Sequence, residues 1–355
     1  MITFVVPSHN NLRHLKNCIT SIQKHAPFSE IIVFDDASDD GTFEWLETLK
    51  SNNIYIQRVD QRLGHTILYD RGIKLASNNI VGIFHADMIM GPHYVENVMK
   101  HITPGKVVCG TRIEPPLHPP GNEKIIENFG MDFDDLNIDA FESFCIERQA
   151  MYRGETTKGM FAPWIIYKDD FLAMGGHDSG FAPFPYEDSD IFQRWLLAGY
   201  ELVQSRDAFV YHLTCRGHRW NKQVGVNDDY FKIAEENARK YYIKKWGSWI
   251  ENDGYAHLVL IPVYKKCSIV ENYSPFNGEE FLGTINPDNT DEYDVIIKLD
   301  LKKINKEDFD TVVQLNKIIQ EINDTGDFEI GNIKIKIKSI NDISRDPIFI
   351  RNGMS

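Results

Sequence analysis

No stretch of this 355-residue chain approaches the ~20 consecutive apolar residues needed to cross a bilayer. The opening MITFVVPSHN has no basic leader, and its apolar run is too short for a signal peptide. A cytoplasmic location is therefore expected. Cysteine is scarce: Cys18, Cys109, Cys145, Cys215 and Cys267 lie far apart with no C-x-x-C pair. That spacing supports neither a zinc site nor a disulfide framework and suits a reducing compartment. Positive charge is also short. Lys and Arg number 38 against 52 Asp and Glu, for a net charge of −14, which excludes non-specific binding to nucleic acid or anionic lipid. An acidic protein that takes a phosphorylated ligand needs a cation or local donors to offset the repulsion. No internal repeat or low-complexity tract is present.

What is present is order. ITFVVP (2–7), EIIVFDD (30–36), NIYIQRV (53–59) and NIVGIFHAD (79–87) read as buried strands. Between them, 11–27, 42–50 and 68–77 carry apolar residues at helical spacing. Strands alternating with helices predict an α/β fold with a doubly wound, mostly parallel sheet. Ligands of such sheets bind beyond the carboxyl ends of the strands, so the residues there come first. The first strand ends in Pro7-Ser8-His9-Asn10, the second in Asp35-Asp36-Ala37-Ser38, and the fourth in His85-Ala86-Asp87, with His85 and Asp87 on one face of the pleat. Taken singly, Asp36 and Ser38 read as helix caps. Three polar strand ends in one half favour a crevice for a sugar nucleotide with a divalent metal.

These stretches, with GGHDSGFAPFPYEDSDIFQRWLLAGYEL (175–202) and KYYIKKWG (240–247), resemble the family 2 glycosyltransferases, inverting enzymes of the GT-A fold that use nucleotide sugars. The likeness covers roughly residues 1–250. It implies transfer of a sugar from a nucleoside-diphosphate donor to a glycan or other hydroxyl acceptor, as in polysaccharide or glycan biosynthesis, assisted by Mn²⁺ or Mg²⁺. The family's D-x-D at the fourth strand end is H-x-D here. By resemblance Asp87 binds the metal, and His85 is a ligand, a ribose contact or only a partly buried residue. His212, on the later strand of AFVYHLTCRGH (208–218), completes the metal set.

Asp36 takes the place of the aspartate that bonds base or ribose, with Pro7, Ser8, His9, Asn10, Ser38 and Ala86 around the donor. Asp70 stands where the family has Asn, after Tyr69 in the place of an Arg. Arg71 is a candidate diphosphate contact, as are Arg216 and Arg219, which otherwise read as solvated loop residues. On the acceptor side, Asp188 is the base by resemblance, Glu187 an acceptor contact and Asp190 a support. Adjacent carboxylates are expected to raise each other's pKa, although acidic residues at a helix start also simply favour its dipole. Trp164 reads equally as an acceptor wall or as core.

The domain expectation is one unit over 1–250, with a nucleotide-sugar half to about 110 and an acceptor half from 111. Residues 251–355 form a small accessory α+β region. Segment 112–160, rich in proline and acid, reads as an insertion near the acceptor. Two functions stand against each other: an inverting, metal-dependent glycosyltransferase, and a sugar-nucleotide-binding protein with lost catalysis, suggested by His85. A nucleotidyltransferase lacks its Gly-rich phosphate loop here.

Overall fold

The computed structural model describes residues 1–49, 53–183, 185–214, 267–270, 295–299 and 324–337, with a few helical positions between. The chain divides into two compact units, one built mainly on Met1–Phe231, the other on Lys232–Glu251 and Leu260–Asp346.

The first unit begins β1 (Ile2–Ser8), α1 (Leu12–His25), β2 (Glu30–Asp36), α2 (Thr42–Glu47), β3 (Ile54–Val59), α3 (His65–Leu75) and β4 (Ile80–Ile83). It continues β5 (Met88–Met90), α4 (Tyr94–Met99), β6 (Lys106–Glu114), β7 (Lys124–Ile126), α5 (Ile138–Met151), β8 (Thr156–Thr157), β9 (Trp164–Tyr167), α6 (Lys168–Ala173), α7 (Glu187–Leu197) and β10 (Glu201–His212). Among the described residues, the main sheet runs β3-β2-β1-β4-β9-β6-β10-β5. It is parallel from β3 to β4, and only β9 and β5 on this path run against the rest. The α/β, mostly parallel sheet expected from the alternation is the one observed.

Burial explains the pattern. Every residue of β1 is buried, as a parallel strand covered on both faces requires. In α1, Leu15, Cys18, Ile19 and Ile22 form the buried stripe. A Cβ on Gly72 would run into Val5, so α3 crosses β1 closely only because that position has no side chain.

Two segments differ from expectation. The strand read over 79–87 stops at Ile83, and residues 84–87 turn into β5, which pairs antiparallel with β10. His85 and Asp87 therefore lie on a turn, not on one pleated face. The turn closes through Met88 N–H donating to the His85 carbonyl (3.1 Å). Segment 112–160, read as an irregular insertion, holds the end of β6, all of β7, and α5. Asn137 caps α5 by accepting from the Ala140 N–H. Its Phe141 and Cys145 are buried against Ile113, Phe209 and Tyr211.

In the second unit, β11 (Cys267–Val270), β12 (Val295–Leu299), β13 (Gly326–Ile330) and β14 (Ile333–Ile337) form a sheet in the order β11-β12-β14-β13. Ile333, Ile335 and Ile337 are buried while Lys334 and Lys336 are exposed, the one solvated face the Ile-Lys alternation implies. Apolar spacing over 305–323 predicts an amphipathic helix, and these residues lie largely outside the described ones.

Candidate functional site

The carboxyl ends of β1, β2, β4, β6 and β10 open onto one cleft of about 380 Å³. Its metal-capable corner is built by strand pairing. Met88 of β5 lies opposite His212 of β10, and Leu213 N–H donates to the Asp87 carbonyl (3.1 Å). His85, Asp87 and His212 each present one ligand atom, all within 4.8 Å of one another. His212 Nε2 and Asp87 Oδ1 are 3.6 Å apart, too far for a hydrogen bond and suited to flanking a shared cation. On its other side His212 Nδ1–H donates to Glu114 Oε1 (3.1 Å), which turns Nε2 toward Asp87 as a second-sphere carboxylate does in metal sites. Burial opposes the charge on Glu114, but Arg112 and His212, with Lys124 (2.9 Å), hold its carboxyl far below the usual range. Burial and nearby His212 pull His85 down to about 3, so its imidazole is neutral with a lone pair to give. Two imidazoles and a carboxylate suit a first-row transition ion such as Mn²⁺, which takes nitrogen ligands more readily than Mg²⁺ does.

Across the cleft lies the start of α7. Tyr186, at φ +80°, turns the chain so that Glu187 and Asp188 open the helix beside the cleft. A non-glycine residue in this region is strained by about 1–2 kcal/mol, a cost often found at functional sites. The expectation that both carboxyls rise holds for one of them. Burial, then the charge of Glu187, raises Asp188 to about 6, against the weaker pull of the Ser189 N–H. Glu187 goes the other way. Burial would raise it, but His65, by charge and by a 2.8 Å hydrogen bond from Nε2–H, lowers it to about 2. For His65 itself burial is the largest influence and a lowering one, yet Glu187, with Asp188 and Asp36, lifts its pKa above 6.5 overall.

The remaining wall is the β1–β2 side. Pro7, Ser8 and His9 line it, with Ala86 opposite. His9 Nδ1–H donates to the Asp36 carbonyl (2.6 Å), and burial, then Arg62, lowers its pKa. Asp36 also lines the cleft, but its carboxylate accepts from the N–H groups of Leu63 (2.7 Å) and Gly64 (2.9 Å), anchoring the loop that leads into α3.

Several expected residues sit elsewhere. Asn10 and Ser38 are buried behind the wall, where Asn10 N–H donates to Ser38 Oγ (3.0 Å) and Asn10 Oδ1 accepts from Asp39 N–H (2.8 Å). They shape the β1 and β2 ends and do not line the cleft. Arg71 is exposed on α3, away from the lining. Trp164 is fully buried, stacked with Phe171 and edge-on to Trp195; its place is the core. Asp190 is fully buried and paired with Arg194 (2.9 Å), whose other nitrogens donate to the carbonyls of Met174 and Gly176. It holds the GGHD turn to α7. Asp70 is tied to His177 by Nδ1 (2.7 Å). Arg216 and Arg219 lie outside the described residues. Conversely, Arg62, His65, Arg112, Glu114, His118 and Lys124 line the cleft without having been singled out. Glu114 ends a strand and His65 follows one, so the strand-end rule would have found both had β6 been recognised and the third crossover read.

These features define a doubly wound α/β protein whose ligand cleft crosses the carboxyl ends of its strands. Residues 3–161 match the family model described as Glycosyl transferase family 2. The chain is 23% identical over 239 residues to validoxylamine A glucosyltransferase of Streptomyces hygroscopicus subsp. jinggangensis (strain 5008), covering 59% of this chain and 54% of that protein. The counterpart from subsp. limoneus is 24% identical, with 59% and 51% covered. The chain thus spans about half the length of the curated relatives it matches. Among solved structures, a mannosyltransferase from Pyrobaculum calidifontis in complex with GDP-Man and Mn²⁺ aligns over 68% of this chain and 61% of its own, at 17% identity and a TM-score of 0.43. Among the described residues, no helix is long and apolar enough to cross a membrane.

Proposed function

We propose that the protein transfers a sugar from a nucleoside-diphosphate donor to an acceptor hydroxyl with inversion, with Asp188 as general base. One observation carries this reading: the metal-capable trio His85, Asp87 and His212 shares a cleft with a carboxyl poised near neutrality, Asp188. Asp188 takes the acceptor proton as the acceptor oxygen bonds to the anomeric carbon; the bond from that carbon to the diphosphate oxygen breaks on the opposite face, and the nucleoside diphosphate leaves. A general base works best with a pKa close to the working pH, and about 6 meets that need. A divalent cation held by Asp87, His212 and His85 would offset the diphosphate charge. Glu187 faces the acceptor, while Pro7, Ser8, His9 and Asp36 flank the nucleotide. Cys18, Cys109 and Cys145 are buried free thiols, in keeping with a reducing, cytoplasmic setting. Residues 1–250 are read as the transferase and 251–355 as accessory. The test is a panel of sugar nucleotides with Mn²⁺, scored for hydrolysis and for transfer to added glycans. Turnover supports transfer; tight binding of a sugar nucleotide without any turnover favours the binding-protein reading, for which the histidine at the first D-x-D position speaks.

A further inference from the structure

Two loops that the sequence separates by more than a hundred residues are pressed together at the cleft. Gly64, at φ +84°, precedes α3, and a Cβ there would lie 2.6 Å from the Cα of Pro183. No other residue lets the chain entering α3 pass so close to the segment leading into α7. Asp36 fixes this approach by accepting from the N–H of Leu63 and of Gly64. The result is that the first residue of α3 meets the first residue of α7: His65 Nε2–H donates to Glu187 Oε1 at 2.8 Å. The other oxygen, Oε2, is buried and has no hydrogen-bond partner among the described residues, although Glu187 lines the cleft. A buried carboxylate oxygen without a partner is costly and calls for a donor, such as a sugar hydroxyl.

We propose that His65 is a positioning residue of this reaction: its ion pair with Glu187 commits one Glu187 oxygen, leaves the other for a sugar hydroxyl, and keeps Asp188 the ionised carboxylate that takes the acceptor proton. The proposal rests on the reading of Asp188 as the base. The charged and titratable groups acting on this trio are Asp36, Tyr69, His85 and His177, with the three themselves. Of the two histidines that stabilise the Glu187 anion by charge, only His65 bonds it. Without it two adjacent buried carboxyls would share a proton, as paired carboxylates do, and the base would be occupied at neutral pH.

The experiment compares the pH dependence of Mn²⁺-supported UDP-glucose hydrolysis in the native protein and in His65→Gln, which keeps an N–H donor and removes the charge. The acid limb is expected to move up by about 1 pH unit, with a high-pH plateau within a few-fold of native; His65→Lys returns it toward the native position. An unmoved limb in an active His65→Gln protein overturns the proposal. A second measurement needs neither substrate nor a variant of His65: NMR titration of the imidazole in native and Glu187→Gln proteins. The native ring is expected to lose its proton above 6.5 and to do so at lower pH in Glu187→Gln; identical titrations overturn the pairing. If Asp188→Asn hydrolyses and transfers at the native rate, the base assignment itself has failed. An inactive Asp188→Asn beside an unmoved His65→Gln limb removes only the role of His65.

Discussion

Asp188→Asn separates chemistry from folding, because the two should move in opposite directions. The carboxyl stands at about 6 against an ordinary 3.8, since burial and Glu187 both oppose its charge. Two units at 1.36 kcal/mol each mean that ionised Asp188 costs the native state about 3 kcal/mol at neutral pH. The sign follows from the folded pKa lying above the unfolded one. The stability this group contributes is fully present below 3.8 and lost as pH rises through about 6. Asn carries no charge at any pH, so the variant should be more stable than native by about 2–3 kcal/mol at pH 8, and the gap should close on acidification toward pH 4. Transfer, in contrast, should fall by roughly 10²–10⁴, or about 3–5 kcal/mol of barrier, with donor affinity kept. With a pKa of about 6, Asp188 should be roughly nine-tenths ionised at pH 7 and one-tenth at pH 5, so kcat/KM is expected to drop about tenfold between them if it is the base. An aspartate at 3.8 would show almost no drop over that range. Paired thermal unfolding and transfer assays across pH check all of this. Near-native transfer by the variant, or a lower stability at pH 8, would refute the reasoning.

Asp87→Ala should abolish Mn²⁺-dependent stabilisation by a sugar nucleotide while leaving the metal-free melting temperature close to native; the native shift is worth about 2.7 kcal/mol at a hundred times Kd. Mn²⁺ should support more activity than Mg²⁺, and His85→Asp should move the preference toward Mg²⁺, since a nitrogen ligand suits the softer ion; equal use of both ions by the native protein would remove His85 from the ligand set. Glu114→Gln should weaken Mn²⁺ binding by roughly 10–100-fold through the loosened orientation of His212, measured by titration calorimetry. Asp190→Asn should act on stability more than on catalysis, costing about 3–5 kcal/mol by leaving Arg194 buried without its anion, as denaturant unfolding will report.

The strands were readable because a strand covered on both faces must be apolar through its middle, as Phe4–Val6 of β1 and Ile31–Phe34 of β2 are. The turn at 84–87 was not, because Phe84 continues the apolar run and is itself buried; nothing local says that pairing with β10 begins four residues later, at Met88. Segment 112–160 misled for a similar reason. The apolar residues of α5 do not lie on one side: Phe141 and Cys145 are buried while Ile146 and Met151 are exposed, so the helix rests on its Asn137 cap and a small aromatic contact with β10. Trp164 shows the converse limit. Composition near a site does not tell a wall from a core, and the ring is enclosed by Phe171, His177 and Trp195.

By itself the sequence determined the alternation of strand and helix, and with it the end of the sheet where ligands collect. It also supplied the chemistry at three places: Asp36, the H-x-D turn and Glu187-Asp188. Only the tertiary structure decided what those groups do to one another. Adjacent carboxyls were expected to rise together, yet Glu187 falls and Asp188 rises, because His65 arrives from a distant helix and bonds only one of them. Glu114 likewise meets His212 across ninety-eight positions of chain, through the parallel register of β6 and β10. The physical reason is range. Periodicity and turn chemistry act within a few residues, whereas a buried charge responds to whatever folding brings within a few ångströms, and strand register and the close approach of loops select that company.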